Sequence, residues 1–345
     1  MSVPPILQEL KRSWRIHVIT MSHGHREEAM MDQLGSLSED ICYCTSLKYI
    51  AYAVLGTIKA SRRDNIWLQG FFDPLIFLCL CLKRMGLVRA PVMISPRGQL
   101  SDKFVEKDFR KKLFLRLLRS IDAHMCVTFH YTSELEKARA ERLVDRREFV
   151  VAPNVLRLDF FKNTLELESV RRPEITDSPI FRIGYAGRID RRKKIDILIR
   201  AIAVLDVKVE LAIAGDKTPY MTELQSLICD LKLEDRVKFT GRLSGQDLME
   251  FYRSLNLFAS LADEENFGNT FLESLSQATP ILFSSGAPWE FTLAERWGFE
   301  TDGSIEGVRE AILRALRGSR QKRGDIQSML ERFNPSSVAL SLFRS

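Results

Sequence analysis

Residues 255–278 read LNLFASLADEENFGNTFLESLSQA, in which an apolar run of strand length is followed by an acidic loop. The segment 270–278 has helical spacing and lacks Gly and Pro, so the stretch predicts a strand, a loop and a helix. Glu265 is then expected in the loop at the carboxyl end of the strand. Gly268 is expected at the helix N-terminus, and Glu273 about one turn into the helix.

This loop carries groups that suit a nucleotide sugar. Gly268 and Asn269 lie where backbone N–H groups and the positive end of the helix dipole favour a phosphate. The carboxylates of Glu265 and Glu273 can accept hydrogen bonds from sugar and ribose hydroxyls. An acidic helix start with one glutamate on the helix surface would produce the same spacing. The stretch alone therefore leaves a sugar-nucleotide pocket and an ordinary helix start both open.

Strand-like apolar runs alternate with helical spacing along the chain. Strands are predicted at residues 15–20, 65–68, 90–94, 124–128, 149–152, 181–185, 207–214, 237–239, 257–260 and 280–283. The segments between them are long enough for crossover helices, which indicates parallel sheets covered by helices. The expected fold class is α/β, with two Rossmann-like domains facing a cleft and ligands at the carboxyl ends of the strands.

A polar and acidic segment with two prolines, residues 157–179, predicts the boundary between the two domains. We expect an N-terminal domain over residues 1–160 and a linker over residues 161–179. The C-terminal domain is expected over residues 180–325. Residues 326–345 are expected to form a C-terminal helix that returns to the N-terminal domain.

The composition, with 45% hydrophobic and 28% charged residues in 345, is that of a globular protein large enough for two domains. The longest uncharged apolar run, residues 75–82, is too short to span a bilayer, and residues 1–14 lack the apolar stretch of a signal peptide. The six cysteines form no C-x-x-C pair and lie largely in apolar surroundings. Buried free thiols in a reducing cytoplasm are therefore expected rather than disulfides or a zinc site.

The positive charge is concentrated in the N-terminal half. Through residue 160 there are 25 basic and 18 acidic residues, against 26 and 27 in the remainder. The segment 109–121 predicts a basic amphipathic helix whose apolar face comprises Leu113, Phe114, Leu117, Leu118 and Ile121. Such a helix can lie on an anionic membrane surface, or pack against the core with a solvated basic face. Nucleic acid is not an expected partner, because the basic segment lacks interleaved aromatic residues.

A basic loop opens the C-terminal domain. Residues 184–194 read GYAGRIDRRKK and follow a predicted strand, while residues 195–201 continue as a predicted helix. On this loop Arg188 can bind a diphosphate in a fork geometry, and Lys193 adds a point charge beside it. Two such cations can stabilise a departing nucleotide diphosphate without a metal. The chain contains no Asp-x-Asp, the pair expected where a metal bridges those phosphates. The alternative is a basic loop that is only solvated. The acidic loop at the corresponding end of the same domain disfavours this alternative.

Together these motifs resemble the donor domain of retaining glycosyltransferases of family 4, which have the GT-B fold. The resemblance covers roughly residues 45–340. It rests on Gly187-Arg188 with Lys193, on Gly241, and on Glu265 and Glu273 spanning Phe267-Gly268. Ile94-Ser95-Pro96-Arg97-Gly98 and Ala287-Pro288-Trp289 are similar to a branch common in the assembly of bacterial surface polysaccharides and lipopolysaccharides.

The resemblance implies a role for each matching residue. Arg188 and Lys193 would hold the diphosphate of the donor, and Glu265 would contact hydroxyls of the transferred sugar. Glu273 would accept hydrogen bonds from the ribose. The remaining donor-binding positions would be Gly241, Phe267, Gly268, Asn269 and Thr270. Transfer would proceed with retention by front-face attack, with no cofactor other than the nucleotide-sugar co-substrate; a covalent mechanism through Glu265 is the second choice.

The N-terminal domain departs from the family pattern. Family members usually begin with a strand that ends in a Gly-Gly loop. Only residues 2–13 precede the strand predicted at 15–20 here. The opening strand of the family and its glycine loop are therefore expected to be absent. Where many relatives carry a His near the reacting sugar, this chain offers Gln69 and Arg97 as acceptor-side candidates, and Arg97 can orient an anionic acceptor or a donor phosphate. The family's Pro-Asn-Gly is Pro153-Asn154-Val155 here.

The histidines predict no metal site. His23 and His25 flank a glycine without further ligands. His130 lies at the end of a predicted strand and is a further acceptor-side candidate.

The leading hypothesis is an active glycosyltransferase that extends a cell-surface glycan or a lipid-linked acceptor, in the cytoplasm or at the inner face of the membrane. A homologue that binds the donor but is catalytically impaired is the alternative. A related epimerase fits the Gly-Arg and Lys pattern poorly.

Overall fold

The computed structural model describes residues 6, 10, 17–21, 40–44, 54–62, 64–106, 108–144, 148–157, 160, 180–294, 297–317 and 323–343. The chain divides into two compact units. Unit 1 comprises Met1–Val155 together with Phe333–Ser345, and unit 2 comprises Leu156–Arg332.

Unit 1 is built from parallel strands and the helices that follow them. Its described strands are β1 (His17–Met21), β2 (Asp40–Cys44), β3 (Ile66–Gln69), β4 (Val92–Ser95), β5 (Thr128–Tyr131) and β6 (Phe149–Val151). Residues 54–59 are helical, and they are followed by helices α1 (Pro74–Arg84), α2 (Asp102–Val105), α3 (Phe109–Ser120) and α4 (Glu134–Glu141). β1 pairs with β2, and a separate parallel sheet has the order β3-β4-β5-β6. The carboxyl ends of β3 to β6 therefore meet at one edge of this sheet.

Unit 2 contains one parallel sheet with the strand order β12-β11-β10-β7-β8-β9. The strands are β7 (Phe181–Ala186), β8 (Val209–Ala214), β9 (Val237–Gly241), β10 (Leu257–Ser260), β11 (Ile281–Ser284) and β12 (Gly298–Thr301). The described helices are α5 (Ile195–Ala203), α6 (Pro219–Asp230), α7 (Gly245–Ser254), α8 (Asn269–Ser276), α9 (Ile305–Arg317) and α10 (Arg323–Leu330), and α11 (Pro335–Phe343) follows in unit 1. β10 and β11 are buried along their whole length, as strands covered on both faces must be.

The strand order of unit 2 fixes where a ligand can bind. From β7 the chain proceeds through β8 and β9 on one side, whereas β10 pairs with the other side of β7. The loops that leave the carboxyl ends of β7 and β10 therefore diverge to opposite sides of the sheet and leave a crevice between them. In open α/β sheets this switch point is the usual ligand site.

The α/β class with two Rossmann-like domains is confirmed, and most strands lie within two residues of their predicted bounds. The strand predicted at residues 124–128 is wrong, because residues 123–126 form a 3₁₀-helix and the strand is Thr128–Tyr131. This strand accommodates His130 because hydrogen bonds satisfy its buried ring. Two short strands, β2 and β12, were not predicted from the sequence; β12 has a single large apolar residue, Phe299.

The apolar face predicted for α3 divides between the core and the surface. Leu118 is buried and Phe114 packs against the same core, as does Leu115, which was not assigned to that face. Leu113, Leu117 and Ile121 are 43%, 48% and 39% exposed. Apolar residues occupy two sides of this helix, and periodicity does not decide which of them meets the core.

Several predictions lie outside the described residues. These are the linker at residues 161–179, the absent N-terminal strand and glycine loop, and the loop with His23 and His25. Cys79, Cys81, Cys126 and Cys229 are unpaired thiols; Cys79 is buried as expected, whereas Cys229 is exposed, contrary to expectation. Within the described part of the chain, no helix is both long and apolar enough to cross a membrane.

Candidate functional site

The two predicted loops of unit 2 meet in an ion pair. Lys193 Nζ lies 2.8 Å from Glu265 Oε2, and the two side chains are 25% and 20% exposed. Lys193 ends a 3₁₀-helix that follows β7, and Glu265 lies in the loop that follows β10. Because β7 and β10 are adjacent at the switch point, residues 72 positions apart in the chain become neighbours.

The loop after β7 holds its cations in place through Asp190. This aspartate caps the 3₁₀-helix by accepting from Arg192 N at 3.0 Å, and its Oδ2 lies 3.1 Å from Arg188 Nε. Partial burial opposes ionisation of Asp190, but the hydrogen bonds from Arg192 and the charges of Arg192 and Arg188 outweigh it and lower its pKa. Arg188 is 68% exposed, so its guanidinium is accessible to a ligand. The loop therefore presents Arg188 to solvent.

Tyr185 holds the backbone of this loop through a hydrogen bond. Its hydroxyl donates to the carbonyl oxygen of Arg188 at 2.7 Å, which fixes the backbone at the point where the loop leaves β7. Burial, followed by the negative charges of Asp190 and Glu265, raises the pKa of the Tyr185 hydroxyl. The hydroxyl therefore stays protonated and keeps donating at neutral pH.

The loop after β10 turns into α8 through Gly268. Gly268 is the N-cap of α8 and has φ of 83°. A Cβ there would stand 2.4 Å from Phe271 Cδ2, so any other residue would meet a buried ring. The indole N–H of the fully buried Trp289 donates to the carbonyl oxygen of Phe267. Trp289, one of the residues that carried the branch resemblance, thus anchors the turn that orients the helix N-terminus.

Glu273 lies one turn into α8 and is almost fully buried. The hydroxyl of Tyr252, on α7, donates to Glu273 Oε2 at 3.1 Å. Burial, together with the charge and the hydrogen bond of Glu273, raises the pKa of Tyr252. The carboxylate is therefore held in one orientation by a permanently protonated donor.

The remaining predicted donor residue, Gly241, ends β9 in the left-handed region with φ of 79°. Its carbonyl oxygen accepts from Gly215 N at 2.9 Å. A Cβ on Gly215 would stand 2.2 Å from the carbonyl oxygen of Gly187, so the backbones after β7 and β8 approach too closely for a side chain. A Cβ on Gly241 would meet nothing within 4 Å, so this backbone faces open space.

The carboxyl edge of the β3-β4-β5-β6 sheet in unit 1 gathers the acceptor-side candidates. Arg97 follows β4 with φ of 54°, and its Nε donates to Gln69 Oε1 at 2.9 Å. Its Nη1 donates to Asn154 Oδ1 at 2.6 Å. Gln69 ends β3 and Asn154 follows β6, so three strand ends converge on one guanidinium. Burial, partly offset by the charge of Glu136, lowers the pKa of Arg97 to about 10.

His130 occupies the same edge but is fully engaged within the unit. Its Nε2 lies 2.8 Å from the carbonyl oxygen of Ala152, an acceptor, so Nε2 carries the proton. Nδ1 then accepts from Ser95 Oγ at 2.7 Å, and Ser95 Oγ accepts from Trp67 Nε1 at 2.7 Å. Burial, then the charge of Arg97, lowers the pKa of His130 to about 3. The ring is neutral at physiological pH, which favours a positioning role over proton transfer.

Residues 169–326 match the family model described as glycosyl transferases group 1. This segment is a glycosyltransferase group 1 domain. It coincides with most of unit 2, including both loops of the switch point. Over all described residues the fold is that of the GT-B glycosyltransferases.

Relatives of the glycosyltransferase domain include enzymes named for the synthesis of a glycolipid and of lipopolysaccharide. An alpha-monoglucosyldiacylglycerol synthase of Streptococcus pneumoniae is 33% identical over 141 residues, which are 36% of this chain and 32% of that protein. The lipopolysaccharide core biosynthesis glycosyltransferase LpsE of Rhizobium meliloti is 31% identical over 181 residues, half of each chain. The chain thus spans half or less of the length of these relatives.

Among solved structures, HepE of Anabaena in complex with UDP superimposes with a TM-score of 0.76 at 16% identity, covering 99% of this chain and 94% of HepE. WaaG, a glycosyltransferase involved in lipopolysaccharide biosynthesis, superimposes with a TM-score of 0.64 at 14% identity, covering 100% and 95%. At these identities the likeness concerns the fold.

The structure brings most predicted site residues of the glycosyltransferase domain to one edge of its sheet. Lys193 and Glu265 are in contact, and Arg188, Gly268 and Glu273 lie on the same two loops and α8. The sequence analysis missed the residues that orient them. These are Tyr185, Asp190, Gly215 and Tyr252, and in unit 1 Glu136, whose carboxylate accepts from Gly98 N at 2.6 Å. Gly215 directly follows a predicted strand, a position that can signal close backbone approach.

Proposed function

We propose that the chain is a metal-independent, retaining glycosyltransferase of family 4 that moves a sugar from a nucleotide-diphosphate sugar to a cell-surface glycan or lipid-linked acceptor. The observation that carries this proposal is the ion pair of Lys193 with Glu265 at 2.8 Å. It joins a cation suited to a diphosphate with a carboxylate suited to sugar hydroxyls, at the strand-order switch point of a glycosyltransferase domain.

In this proposal the donor lies along the carboxyl edge of unit 2. Arg188 and Lys193 bind the diphosphate, and the N-terminus of α8 at Gly268, Asn269 and Thr270 adds backbone N–H groups. Glu273, oriented by Tyr252, accepts hydrogen bonds from the ribose hydroxyls. Gly241, whose α-carbon faces open space, leaves room for the nucleotide.

Leaving-group stabilisation carries the chemistry. As the bond between the anomeric carbon and the diphosphate oxygen breaks, its electron pair goes to the diphosphate, where Arg188 and Lys193 balance the new charge. The acceptor hydroxyl attacks the same face, and its proton passes to the departing phosphate oxygen. The pairing of Glu265 with Lys193 reduces the nucleophilicity of the carboxylate, which supports front-face attack over a covalent intermediate.

Turnover is tested with a panel of uridine, guanosine, adenosine and cytidine diphosphate sugars, by following release of the nucleoside diphosphate. We expect one donor to be hydrolysed slowly in the absence of acceptor, with NMR at early times showing retention at the anomeric carbon. Lys193→Ala should lower the rate by about 100-fold or more. Arg191→Ala is the matched control, because Arg191 is a cation of the same 3₁₀-helix that pairs with Glu223.

The outcomes separate the alternatives. Inversion at the anomeric carbon would contradict the proposed mechanism. Saturable binding of a nucleoside diphosphate without turnover of any sugar donor would favour the catalytically impaired homologue.

We also infer that unit 1 docks on an anionic membrane through α3, which supports a lipid-linked acceptor. Helix α3 carries Arg110, Lys111, Lys112, Arg116 and Arg119 and no acidic residue. Phe109, Leu113 and Leu117 follow one another at helical spacing and are 71%, 43% and 48% exposed. Arg110 borders this stripe on one side and Arg116 on the other, the pattern of a helix that lies in a lipid interface.

Exposed apolar residues also occur on other elements of unit 1, namely Met85, Leu87, Phe104, Ile121 and Met125. Arg84 Nε donates to the carbonyl oxygen of Ile121 at 3.2 Å, which joins a cation to the apolar residue that follows α3.

Vesicle flotation tests the docking. We expect the protein to float with vesicles of phosphatidylglycerol and phosphatidylcholine, but not with pure phosphatidylcholine at physiological salt. The double variant Leu113→Ser, Leu117→Ser should lose flotation while keeping its melting temperature, since both residues are exposed. Val204→Ser removes an exposed apolar residue of unit 2 and is the control. Equal flotation of the double variant and the wild type would refute this surface.

A further inference from the structure

We propose that Arg97 forms a binding site for an oxyanion, a phosphate or carboxylate group of the acceptor, at the carboxyl edge of the β3-β4-β5-β6 sheet. This inference rests on the proposed function and adds that the acceptor is anionic. In it, the edge of the guanidinium formed by Nε and Nη2 binds the oxyanion. Gln69, which now accepts from Nε, swings aside to admit it.

The guanidinium of Arg97 is only partly used. Nε donates to Gln69 and Nη1 donates to Asn154. Nη2 is enclosed and has no hydrogen-bond partner among the residues that the structure describes. Because Nε and Nη2 present parallel N–H bonds along one edge, this edge matches two oxygens of a phosphate or carboxylate. Nη2 makes no described hydrogen bond, and Nε is held by Gln69, a side chain that is itself exposed.

No carboxylate neutralises Arg97 directly within the described part of the chain. Glu136, the carboxylate whose charge acts on Arg97, is engaged elsewhere. Its Oε1 accepts from Gly98 N at 2.6 Å, and its Oε2 accepts from the backbone N and the hydroxyl of Thr132, both at 2.7 Å. A partly buried cation whose partners are two neutral amide oxygens and the ring of Trp67, 6.0 Å away, retains attraction for an anion.

Arg236, which like Arg97 is partly buried, shows the contacts of a structural guanidinium in this protein. Arg236 donates from Nε to Val209 O at 3.1 Å and from Nη2 to Ile202 O at 3.2 Å and Val207 O at 3.4 Å. It thereby satisfies backbone carbonyls at the amino end of the unit 2 sheet. Arg97 contacts no backbone carbonyl by a described hydrogen bond, and lies at the carboxyl end of its sheet, where ligands bind.

The backbone at Arg97 also points to a ligand role. Its φ of 54° lies in the left-handed region, which costs an arginine about 1 kcal/mol. Such conformations persist where the surroundings enforce them and cluster at ligand sites. Here Glu136 enforces the turn by accepting a hydrogen bond from the backbone N–H of the next residue, Gly98. The turn therefore holds the guanidinium in one orientation.

Inorganic phosphate is the probe, titrated calorimetrically into a full-length Arg188→Ala, Lys193→Ala background in which the donor loop no longer binds phosphate. We expect one saturable site. Arg97→Gln should abolish it, and Arg97→Lys should weaken it by at least tenfold, because lysine lacks the fork. Gln69→Ala should tighten phosphate binding or leave it unchanged, since it removes the competing oxygen.

Two results would overturn the proposal. One is an unchanged phosphate affinity in Arg97→Lys. This variant keeps the positive charge and provides the test if Arg97→Gln does not fold. The other is a tenfold loss of nucleoside diphosphate affinity on introducing Arg97→Lys into the otherwise native chain, which would assign Arg97 to the donor. If no nucleoside diphosphate binds the native protein but phosphate still requires Arg97, the proposed function fails while the oxyanion site stands.

Discussion

Lys193 Nζ and Glu265 Oε2 lie 2.8 Å apart across the boundary between β7 and β10, the one place in the unit 2 sheet where the strand order reverses. Each residue comes from a loop that is anchored independently, one by Asp190 and Tyr185 and the other by Trp289. The two charges are thus positioned by rigid neighbours before any donor arrives, which is how electrostatic stabilisation becomes effective.

Replacing Glu265 by Gln should separate donor binding from transfer. The variant removes the negative charge while keeping the shape, and it leaves Lys193 free to bind the diphosphate. We expect the affinity for the nucleoside diphosphate to change by less than about threefold, while turnover of the sugar donor falls by about 100-fold. Calorimetry and product release measure the two quantities, and a parallel loss of both would contradict a contact with the sugar.

Tyr252→Phe and Glu273→Gln should affect different properties. Tyr252→Phe removes a buried donor to a carboxylate and should lower the free energy of unfolding by about 2 kcal/mol. Glu273→Gln should weaken nucleoside diphosphate binding by about tenfold, equivalent to about 1.4 kcal/mol, through the ribose. Urea denaturation and calorimetry on both variants provide the comparison. Equal losses of affinity in the two variants would argue against a ribose contact by Glu273.

Gly268→Ala and Gly241→Ala form a matched pair. Both glycines have positive φ, of 83° and 79°, so each alanine introduces backbone strain of about 1 kcal/mol. At Gly268 the new Cβ also meets the buried ring of Phe271 at 2.4 Å, whereas at Gly241 it meets nothing within 4 Å. We expect Gly268→Ala to cost at least twice the unfolding free energy of Gly241→Ala. Chemical denaturation that ranks the two the other way would refute this account of the α8 turn.

His130 should make the free energy of unfolding fall at acidic pH. Burial, reinforced by the charge of Arg97, lowers the pKa of His130 to about 3 in the folded state, against about 6.5 when unfolded. Between these values the unfolded chain binds the proton and the folded chain does not. The free energy of unfolding should therefore fall as the pH drops below 6.5, by about 1.4 kcal/mol per pH unit.

His130→Gln tests this dependence, because glutamine can donate to Ala152 O and accept from Ser95 Oγ without titrating. We expect a shallower fall in stability between pH 6.5 and pH 4.5 in the variant than in the wild type. Parallel pH profiles would indicate that His130 is protonated in the folded protein.

The sequence predicted the fold and the donor loops well because those features are local. β10 was placed at its true bounds because its residues form a continuous buried run. Lys193 and Glu265 were both placed at strand ends from their own neighbours, and the parallel topology then brings them together. The roles proposed for them stay predictions.

What the sequence did not reveal depends on contacts between distant residues. The partnership of Tyr252 with Glu273 joins two helices, and that of Arg97 with Asn154 spans 57 positions. Which apolar residues of α3 meet the core was not decided by the sequence, because Leu113 and Leu115 are equally apolar and only packing selects between them. His130 was placed at the end of a strand predicted at residues 124–128, whereas it lies inside β5, and the partners that satisfy its ring are remote in sequence.

The central claim is that the Arg188 and Lys193 loop binds the donor diphosphate. Calorimetric titration of UDP, GDP, ADP and CDP into the full chain tests it most directly, alongside the Lys193→Ala and Arg191→Ala variants. At least one nucleotide is expected to bind with one-to-one stoichiometry. Lys193→Ala should weaken this binding by about 100-fold, equivalent to about 2.7 kcal/mol. Arg191→Ala should leave the affinity within about twofold of the wild-type value. Binding of none of the four nucleotides, or equal affinity in the wild type and Lys193→Ala, would contradict the central claim.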